Sequence, residues 1–291
     1  MALFDFFSDG EAILMDGRKL AEKIKAEVKE EVTRLKKKGI SPGLAVILVG
    51  KNPASETYVR MKAKACREVG IFSFVHRLPE GIRTNDLLEV IQMLNTSPKI
   101  HGILVQLPLP PHIETEQILE GVAIEKDVDG FHPYNIGRLV EGNPNFIPCT
   151  PLGVMRLLEE YQIDLEGRDV CIVGASNIVG KPMWALMLNN NATVDICHIY
   201  TRDLREHTRR ADILVVGVGK PGLITEDMVK EGAAVIDIGI NKVDEQIVGD
   251  VDFERVRRKV SYITPVPGGV GPMTIAMLLE NTVKAAKLKA K

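Results

Sequence analysis

The sequence predicts an α/β protein of two domains with parallel sheets, on three observations. The chain has 291 residues, close to two domains at roughly 150 residues each, so each has enough residues to bury its own core. A short uninterrupted apolar run at 44–49 has the composition of a strand covered on both faces, and further short strand-like segments such as 213–218 and 234–240 recur along the chain. Between them lie segments whose apolar residues recur at helical spacing, and strands alternating with helices predict a layered α/β fold.

From 18 to 38, Leu20, Ile24, Val28, Val32 and Leu35 recur at that spacing and Gly39 stops the pattern, which predicts an amphipathic helix. The run at 44–49 ends at Gly50 as a first strand, and a helix carrying Ser55 follows it as far as Gly70. A strand over 71–78, a helix over 85–95 capped by Thr84, and a strand over 101–106 come next. Leu107-Pro108-Leu109-Pro110-Pro111 then breaks the pattern. Thr150 and Pro151 are expected as an N-cap and a proline at the first helical position of a helix to Tyr161. Beyond that point strands are expected over 169–173, 193–198, 213–218 and 234–240, with helices between them, one starting near Pro182. This spacing is that of a Rossmann-like, doubly wound nucleotide-binding sheet. The first domain is therefore assigned 1–150 and the second 151–272. A final helix, 273–287 within a returning segment 273–291, is expected to pack back on the first domain.

Hydrophobic residues make up 45% of the chain and charged residues 26%, the proportions of an ordinary soluble protein. A formal charge of -2 lacks the basic footprint of a nucleic-acid binder. No apolar run approaches the ~20 residues needed to cross a bilayer, so no membrane span is expected. Residues 1–11 are apolar but acidic, without the basic start of a secretory signal, and are expected to be a short extension. Either Met1 or Met15 serves as the start. Cys66, Cys149, Cys171 and Cys197 are scattered without a Cys-x-x-Cys pair, which fits reduced thiols in cytoplasm rather than a disulfide framework. The six histidines show no metal-ligand spacing, and no metal is expected.

Ser55, Tyr58 and Lys62 fall three and four residues apart, on one helix face. A lysine beside apolar surface has its pKa drawn toward neutrality and can act as an acid or a base; the alternative is a partly solvated amphipathic face. Gln106, in Val105-Gln106-Leu107-Pro108, and Asp129, in Lys126-Asp127-Val128-Asp129-Gly130, are candidates to join that face, because open α/β sheets place ligands at the carboxyl ends of strands. Alternatively Gln106 caps its strand and Asp129 makes an Asx turn with Gly130.

In the second half, Gly174-Ala175-Ser176-Asn177-Ile178-Val179-Gly180 joins a strand to a helix. A glycine there permits close backbone approach, and the helix start offers amides to a phosphate, so a dinucleotide is the natural ligand, an ordinary turn being the alternative. An NAD site usually carries an acidic residue about 20 residues further on. That place holds His198-Ile199-Tyr200-Thr201-Arg202, without a carboxylate, which leans toward the phosphorylated cofactor. The prolines and glycines of 264–274 suit a backbone lying against a flat ligand, an unoccupied tight loop between domains being the alternative.

Taken together, Tyr58-x-x-x-Lys62, Val105-Gln106-Leu107-Pro108, Lys126-Asp127-Val128-Asp129-Gly130, Pro148-Cys149-Thr150-Pro151 and Pro265-Val266-Pro267-Gly268-Gly269-Val270-Gly271-Pro272-Met273-Thr274 closely resemble the bifunctional methylenetetrahydrofolate dehydrogenase/cyclohydrolase family, from about Leu14 to the C-terminus. The resemblance implies oxidation of 5,10-methylenetetrahydrofolate with NADP and hydrolysis of the methenyl product to 10-formyltetrahydrofolate, in one-carbon metabolism and purine biosynthesis. It also implies a homodimer joined through the nucleotide domains and a folate cleft at the domain junction. By resemblance Lys62 is the catalytic amine, Gln106 its hydrogen-bonding partner, Tyr58 the ring that stacks on the folate and Asp129 the anchor for the pterin. Ser55, Val105, Leu107, Pro267, Gly268 and Gly271 complete the substrate-binding set. Gly174, Ala175, Ser176, Ile178, Ile199, Arg202 and Ile240 form the cofactor set.

Two departures stand out. The family's nucleotide loop commonly reads Gly-Arg-Ser where this chain has Gly174-Ala175-Ser176, and its frequent serine after the histidine of the second strand is Ile199 here. NADP is still expected, with Arg202 or Lys181 supplying part of the missing charge, and NAD stays open. A short-chain dehydrogenase would place its nucleotide loop ahead of the Tyr-x-x-x-Lys motif rather than after it. The alternatives carried forward are a shikimate-dehydrogenase-like oxidoreductase and a noncatalytic folate or nucleotide sensor.

Overall fold

The computed structural model describes residues 11–289, so the expected extension falls outside the described residues except for Glu11. The chain forms two compact units, one of Ala21–Cys149 with 274–289 and one of Thr150–Met273 with 11–20. In chain order β1 (Ile13–Leu14) is followed by α1 (Gly17–Lys37), β2 (Gly43–Val49), α2 (Pro53–Val69), β3 (Phe72–Leu78), α3 (Thr84–Thr96), β4 (Gly102–Val105), α4 (Thr115–Gly121) and α5 (Pro133–Val140).

The first unit is built on a parallel sheet of order β3-β2-β4, in which Val46 pairs with both Val75 and Leu104. Every residue of central β2 is buried, as an unbroken apolar run requires. Ile47, Leu87, Ile91, Ile103 and Ile118 share one core on this sheet. α2 starts where Asn52 accepts the Ser55 N–H at 3.0 Å with Pro53 in the first turn, and stops at Gly70, whose φ of 83° is the left-handed C-cap conformation. Thr84 is the first residue of α3 rather than its cap: Arg83 holds the cap position, and the Thr84 hydroxyl instead accepts the Glu114 N–H at 3.3 Å. The last helix, α10 (Val270–Lys289), returns to this unit as expected. There Asn281 donates to the carbonyls of Val128 at 2.9 Å and Ile147 at 3.1 Å.

The second unit takes α6 (Cys149–Glu160), β5 (Asp169–Val173), α7 (Gly180–Asn189), β6 (Thr193–Cys197), α8 (Leu204–Arg210), β7 (Ile213–Val216), β8 (Ala234–Asp237), β9 (Asn241–Val243), β10 (Gln246–Val248), α9 (Phe253–Val256) and β11 (Tyr262–Ile263). Its parallel sheet has the order β1-β11-β8-β7-β5-β6, with β9 and β10 as a separate hairpin. The chain winds outward in both directions from β5 and β7, so the switch point lies at their carboxyl ends. β5 has the expected bounds, whereas β7 and β8 stop short of theirs because the backbone after them turns to meet aspartate side chains. α6 begins at Cys149 and α7 at Gly180, each slightly ahead of the proline used to place it.

The sequence gives no sign of β1, which pairs in parallel with β11 through Ile13–Tyr262 and Leu14–Ile263. The Tyr161 hydroxyl accepts the Asp16 N–H at 2.7 Å and donates to the Leu14 carbonyl at 3.1 Å. These contacts draw 11–20, assigned by sequence to the first domain, into the second unit. No helix among the described residues is long and apolar enough to cross a membrane.

Candidate active site

α2 packs on the sheet immediately after β2, so its first turns lie at the carboxyl end of the strands, where β4 also ends. The Gln106 N–H continues the ladder to the Ile47 carbonyl at 2.9 Å. The Gln106 side chain then bridges outward: Nε2 donates to the Leu107 carbonyl at 2.8 Å, and Oε1 accepts from Lys62 Nζ at 3.0 Å. Gln106 thus extends its strand through its backbone and holds the lysine through its side chain. With Nε2 occupied by a carbonyl, the amide presents oxygen rather than nitrogen to the ammonium. Lys62 and Ser55 are buried, and Tyr58, on the same stripe, is half-buried. Burial pushes the Tyr58 hydroxyl above its ordinary pKa, keeping it neutral. Val105 is buried and Leu107 half-buried beside Gln106.

Asp129 lies among these groups. Burial pushes its carboxyl above the ordinary range, opposed by the charge of Lys62 and raised further by Asp127, while a thiol hydrogen bond from Cys149 lowers it. Asp129 does not make the turn for which it was an alternative candidate. Asp127, which sequence reasoning passed over, makes it. Its Oδ1 accepts the N–H groups of Gly130 and Phe131 at 3.1 Å each, and its Oδ2 accepts the His132 N–H and Asn135 Nδ2, both at 2.8 Å. The Asp-x-x-Gly spacing was the available signal. Gly130 has φ of 76°, and a Cβ there would stand 2.7 Å from the Pro148 nitrogen, so the turn excludes any side chain. With Asp127 committed to the backbone, Asp129 is left for the Lys62 side.

In the second unit Gly174 has φ of 120°, and a Cβ on it would stand 2.5 Å from the Gly217 carbonyl oxygen. A Cβ on Gly180 would lie 1.8 Å from the Gly174 carbonyl oxygen. Between these two close approaches the Ser176 hydroxyl accepts the N–H groups of Val179 at 3.2 Å and Gly180 at 3.4 Å. Close backbone packing at both glycines makes this a tight strand-to-helix turn that bars a side chain at either position. Ala175 and Ile178 are half-buried and offer no polar group. Past β6, the His198 N–H donates to the Thr201 hydroxyl at 2.9 Å, in a turn that leaves Ile199 91% exposed. Arg202 is exposed with no partner among the described residues, whereas Lys181 donates to Asn177 Oδ1 at 2.7 Å. Ile240 is exposed after β8.

Two buried aspartates hold the loops that leave β7 and β8, and sequence reasoning found neither. Asp250 accepts the N–H groups of Val218 at 2.6 Å and Gly219 at 2.9 Å, and Asn241 Nδ2 at 2.8 Å. Asp237 accepts the N–H groups of Gly239 at 2.9 Å, Asp250 at 3.1 Å and Val251 at 2.9 Å. Burial pushes Asp237 up to about 6 against the pull of those donors. Pro267, Gly268 and Gly271 belong to the second unit; Gly268 has φ of 115° and its carbonyl accepts the Arg18 N–H at 2.9 Å. Among the described residues no group of three His, Cys, Asp or Glu side chains is placed to hold a metal ion.

Residues 15–129 match the family description "Tetrahydrofolate dehydrogenase/cyclohydrolase, catalytic domain", and residues 148–290 match its "NAD(P)-binding domain". The bifunctional protein FolD of Nautilia profundicola is 68% identical over 279 residues, covering 96% of this chain and 98% of that protein. The crystal structure of the bifunctional FolD dehydrogenase/cyclohydrolase from Campylobacter jejuni is 60% identical with a TM-score of 0.94, over 96% of this chain and 99% of that one. The Trypanosoma brucei dehydrogenase-cyclohydrolase, crystallised with NADP cofactor and an inhibitor, is 40% identical with a TM-score of 0.94, over 97% and 99% of the two chains.

Proposed function

The chain belongs to the tetrahydrofolate dehydrogenase/cyclohydrolase family, and from that premise we propose how its own residues divide the work. The protein is a bifunctional enzyme that oxidises 5,10-methylenetetrahydrofolate to the methenyl compound and hydrolyses that product to 10-formyltetrahydrofolate. Likeness over the whole chain supports this reading and neither the shikimate-dehydrogenase-like nor the sensor alternative. The observation that carries the residue roles is the 3.0 Å hydrogen bond between buried Lys62 and Gln106.

In our reading Lys62 is the proton-transfer group. Hydrolysis adds water to the methenyl carbon and opens one carbon–nitrogen bond, so the water must lose a proton and the departing folate nitrogen must gain one. An amine alternating between charged and neutral forms serves both demands. Gln106 orients the amine with a neutral acceptor, which leaves it free to give up its proton. Tyr58 offers a flat ring to the folate, Ser55 lies on the same face, and Asp129 anchors the pterin through its exchangeable hydrogens. Val105 and Leu107 frame Gln106. Asp129→Ala is expected to weaken tetrahydrofolate binding by about tenfold, the loss of a charged hydrogen bond, with dinucleotide binding unchanged. Calorimetric titration with each ligand checks this, and equal folate affinity before and after the change removes Asp129 from the site.

The second unit binds a nicotinamide dinucleotide, which when bound accepts the hydride from the methylene carbon. We assign its diphosphate to the tight turn between Gly174 and Gly180, a reading supported by the helix start that follows β5 there. NADP is the proposed form, because residues 198–202 after β6 carry no carboxylate to repel a 2′-phosphate and exposed Arg202 has no partner among the described residues. Asp203 beyond them caps α8 by accepting the Glu206 N–H at 3.2 Å. Ala175→Arg is expected to tighten NADP by about tenfold and leave NAD nearly unchanged, since a charge-assisted phosphate contact contributes about 1.5 to 3 kcal/mol. Dissociation constants for both nucleotides at one salt concentration decide this. A wild-type preference for NAD overturns the proposed selectivity, and equal tightening of both removes the loop from the 2′-phosphate. The reading as a whole is tested by the absorbance of methenyltetrahydrofolate formed from the methylene substrate with each nucleotide, and fails if neither supports its formation. A cytoplasmic homodimer is proposed alongside. The four free, buried cysteines fit a reducing compartment, and sedimentation equilibrium reads the assembly state.

A further inference from the structure

A concavity of the first unit lies away from Lys62. It opens at the amino-terminal end of the sheet, against Phe72 at the start of β3, His101 just ahead of β4 and the last turn of α2, with a volume of about 880 Å³. That falls in the usual range for small-molecule sites, roughly 300 to 1,000 Å³.

Its charge is one-sided. Lys36, Arg67, Lys99, Lys289 and His101 line it, and no lining residue is acidic. None of the four cations has a carboxylate partner among the described residues. Nearby cations do: Lys287, two positions before Lys289, pairs with Glu31 at 2.7 Å, and Arg34 pairs with the same carboxylate at 3.0 Å. Lys36, Arg67 and Lys289 sit in the last turns of α1, α2 and α10, where they offset the helix dipoles. Lys99 and His101 lie in no helix and have no such role. Unpaired like charges around a concavity repel one another and concentrate a counter-anion there.

The wall also contains a built donor. His101 is only 8% exposed, and its Nδ1 accepts the Gly43 N–H at 3.1 Å. The imidazole proton therefore sits on Nε2, which has no hydrogen-bond partner among the described residues. Burial first, then the charges of Lys289 and Lys126, holds the imidazole below its ordinary pKa and preserves this tautomer. Apart from Ser41 and two glycines, the rest of the lining is apolar, chiefly Ile40, Ile71, Pro98 and the ring of Phe72, which is 53% exposed. An aromatic face left open beside cations offers a platform for a flat ring.

We propose that this cavity binds a small anion that joins a flat ring to a phosphate group, the ring on Phe72 and the phosphate among Lys99, Lys289 and His101. The test is calorimetric titration of the whole protein with 1-naphthyl phosphate, and with inorganic phosphate and 1-naphthol as probes of each half alone. Naphthyl phosphate is expected to bind at least tenfold tighter than either fragment. In the exposed double variant Lys99→Glu/Lys289→Glu it is expected to bind at least tenfold weaker, with both folate activities unchanged. Phe72→Ala is expected to weaken naphthyl phosphate and leave inorganic phosphate as it was. Should the charge-reversed protein fold poorly by circular dichroism, Lys99→Met/Lys289→Met replaces it with the same direction expected. Naphthyl phosphate binding that survives charge removal places the probe elsewhere and overturns the proposal, as does affinity no greater than that of inorganic phosphate.

Discussion

Lys62→Met abolishes measurable hydrolysis of methenyltetrahydrofolate, lowering turnover by about 10²- to 10⁴-fold, the contribution expected of a positioned acid–base group. Methionine keeps the length and apolar stem of the lysine on a face still formed by Ser55 and Tyr58, so folate affinity is expected to change little. The result is read by stopped-flow absorbance for hydrolysis and by titration for binding. Turnover near the wild-type rate removes Lys62 from the chemistry. Gln106→Ala distinguishes positioning from mere support of the strand. Loss of the Oε1 contact at 3.0 Å is expected to shift the pH–rate profile, and a variant with unchanged profile and turnover would leave Gln106 with its backbone role alone.

Gly180→Ala is expected to act on the other activity. The added Cβ would lie 1.8 Å from the Gly174 carbonyl oxygen, a backbone atom with no side-chain freedom to yield, so the whole turn must open. Overpacking of this kind costs about 1 to 3 kcal/mol. If the strain falls on the phosphate cradle, dinucleotide affinity drops by about tenfold to a hundredfold. Hydrolysis consumes no nucleotide, and Lys62 and Gln106 belong to the first unit, so cyclohydrolase turnover is expected to persist while dehydrogenase activity falls. Unchanged dinucleotide affinity would show that the turn between β5 and α7 does not hold the phosphates.

Asp127 and the pair Asp237 and Asp250, whose roles the residues alone did not reveal, mark where sequence reading stopped. α1, α2 and the buried strands were legible because a period of 3.6 or an unbroken apolar run is a local property. Two carboxylates two positions apart offer no such pattern: whether Asp127 or Asp129 takes the turn depends on where the backbone N–H groups of Gly130, Phe131 and His132 point. Asp250 is harder still, since its partners Val218 and Gly219 come from a different strand end. The Lys62–Gln106 contact joins two elements, and the residues alone supplied its halves without the pairing; family resemblance supplied that. β1 was invisible because two residues carry no period at all.

That short strand bears on the order in which the molecule can be made. Ile13 and Leu14 leave the ribosome long before their pairing partners Tyr262 and Ile263. The N-terminal unit likewise waits for Asn281, whose amide closes onto Val128 and Ile147. Neither unit is complete until residues 262–281 have been made, and the same stretch of polypeptide closes both. Their final assembly therefore trails the synthesis of most of their residues, a race between late, long-range closure and the exposure of an unfinished sheet.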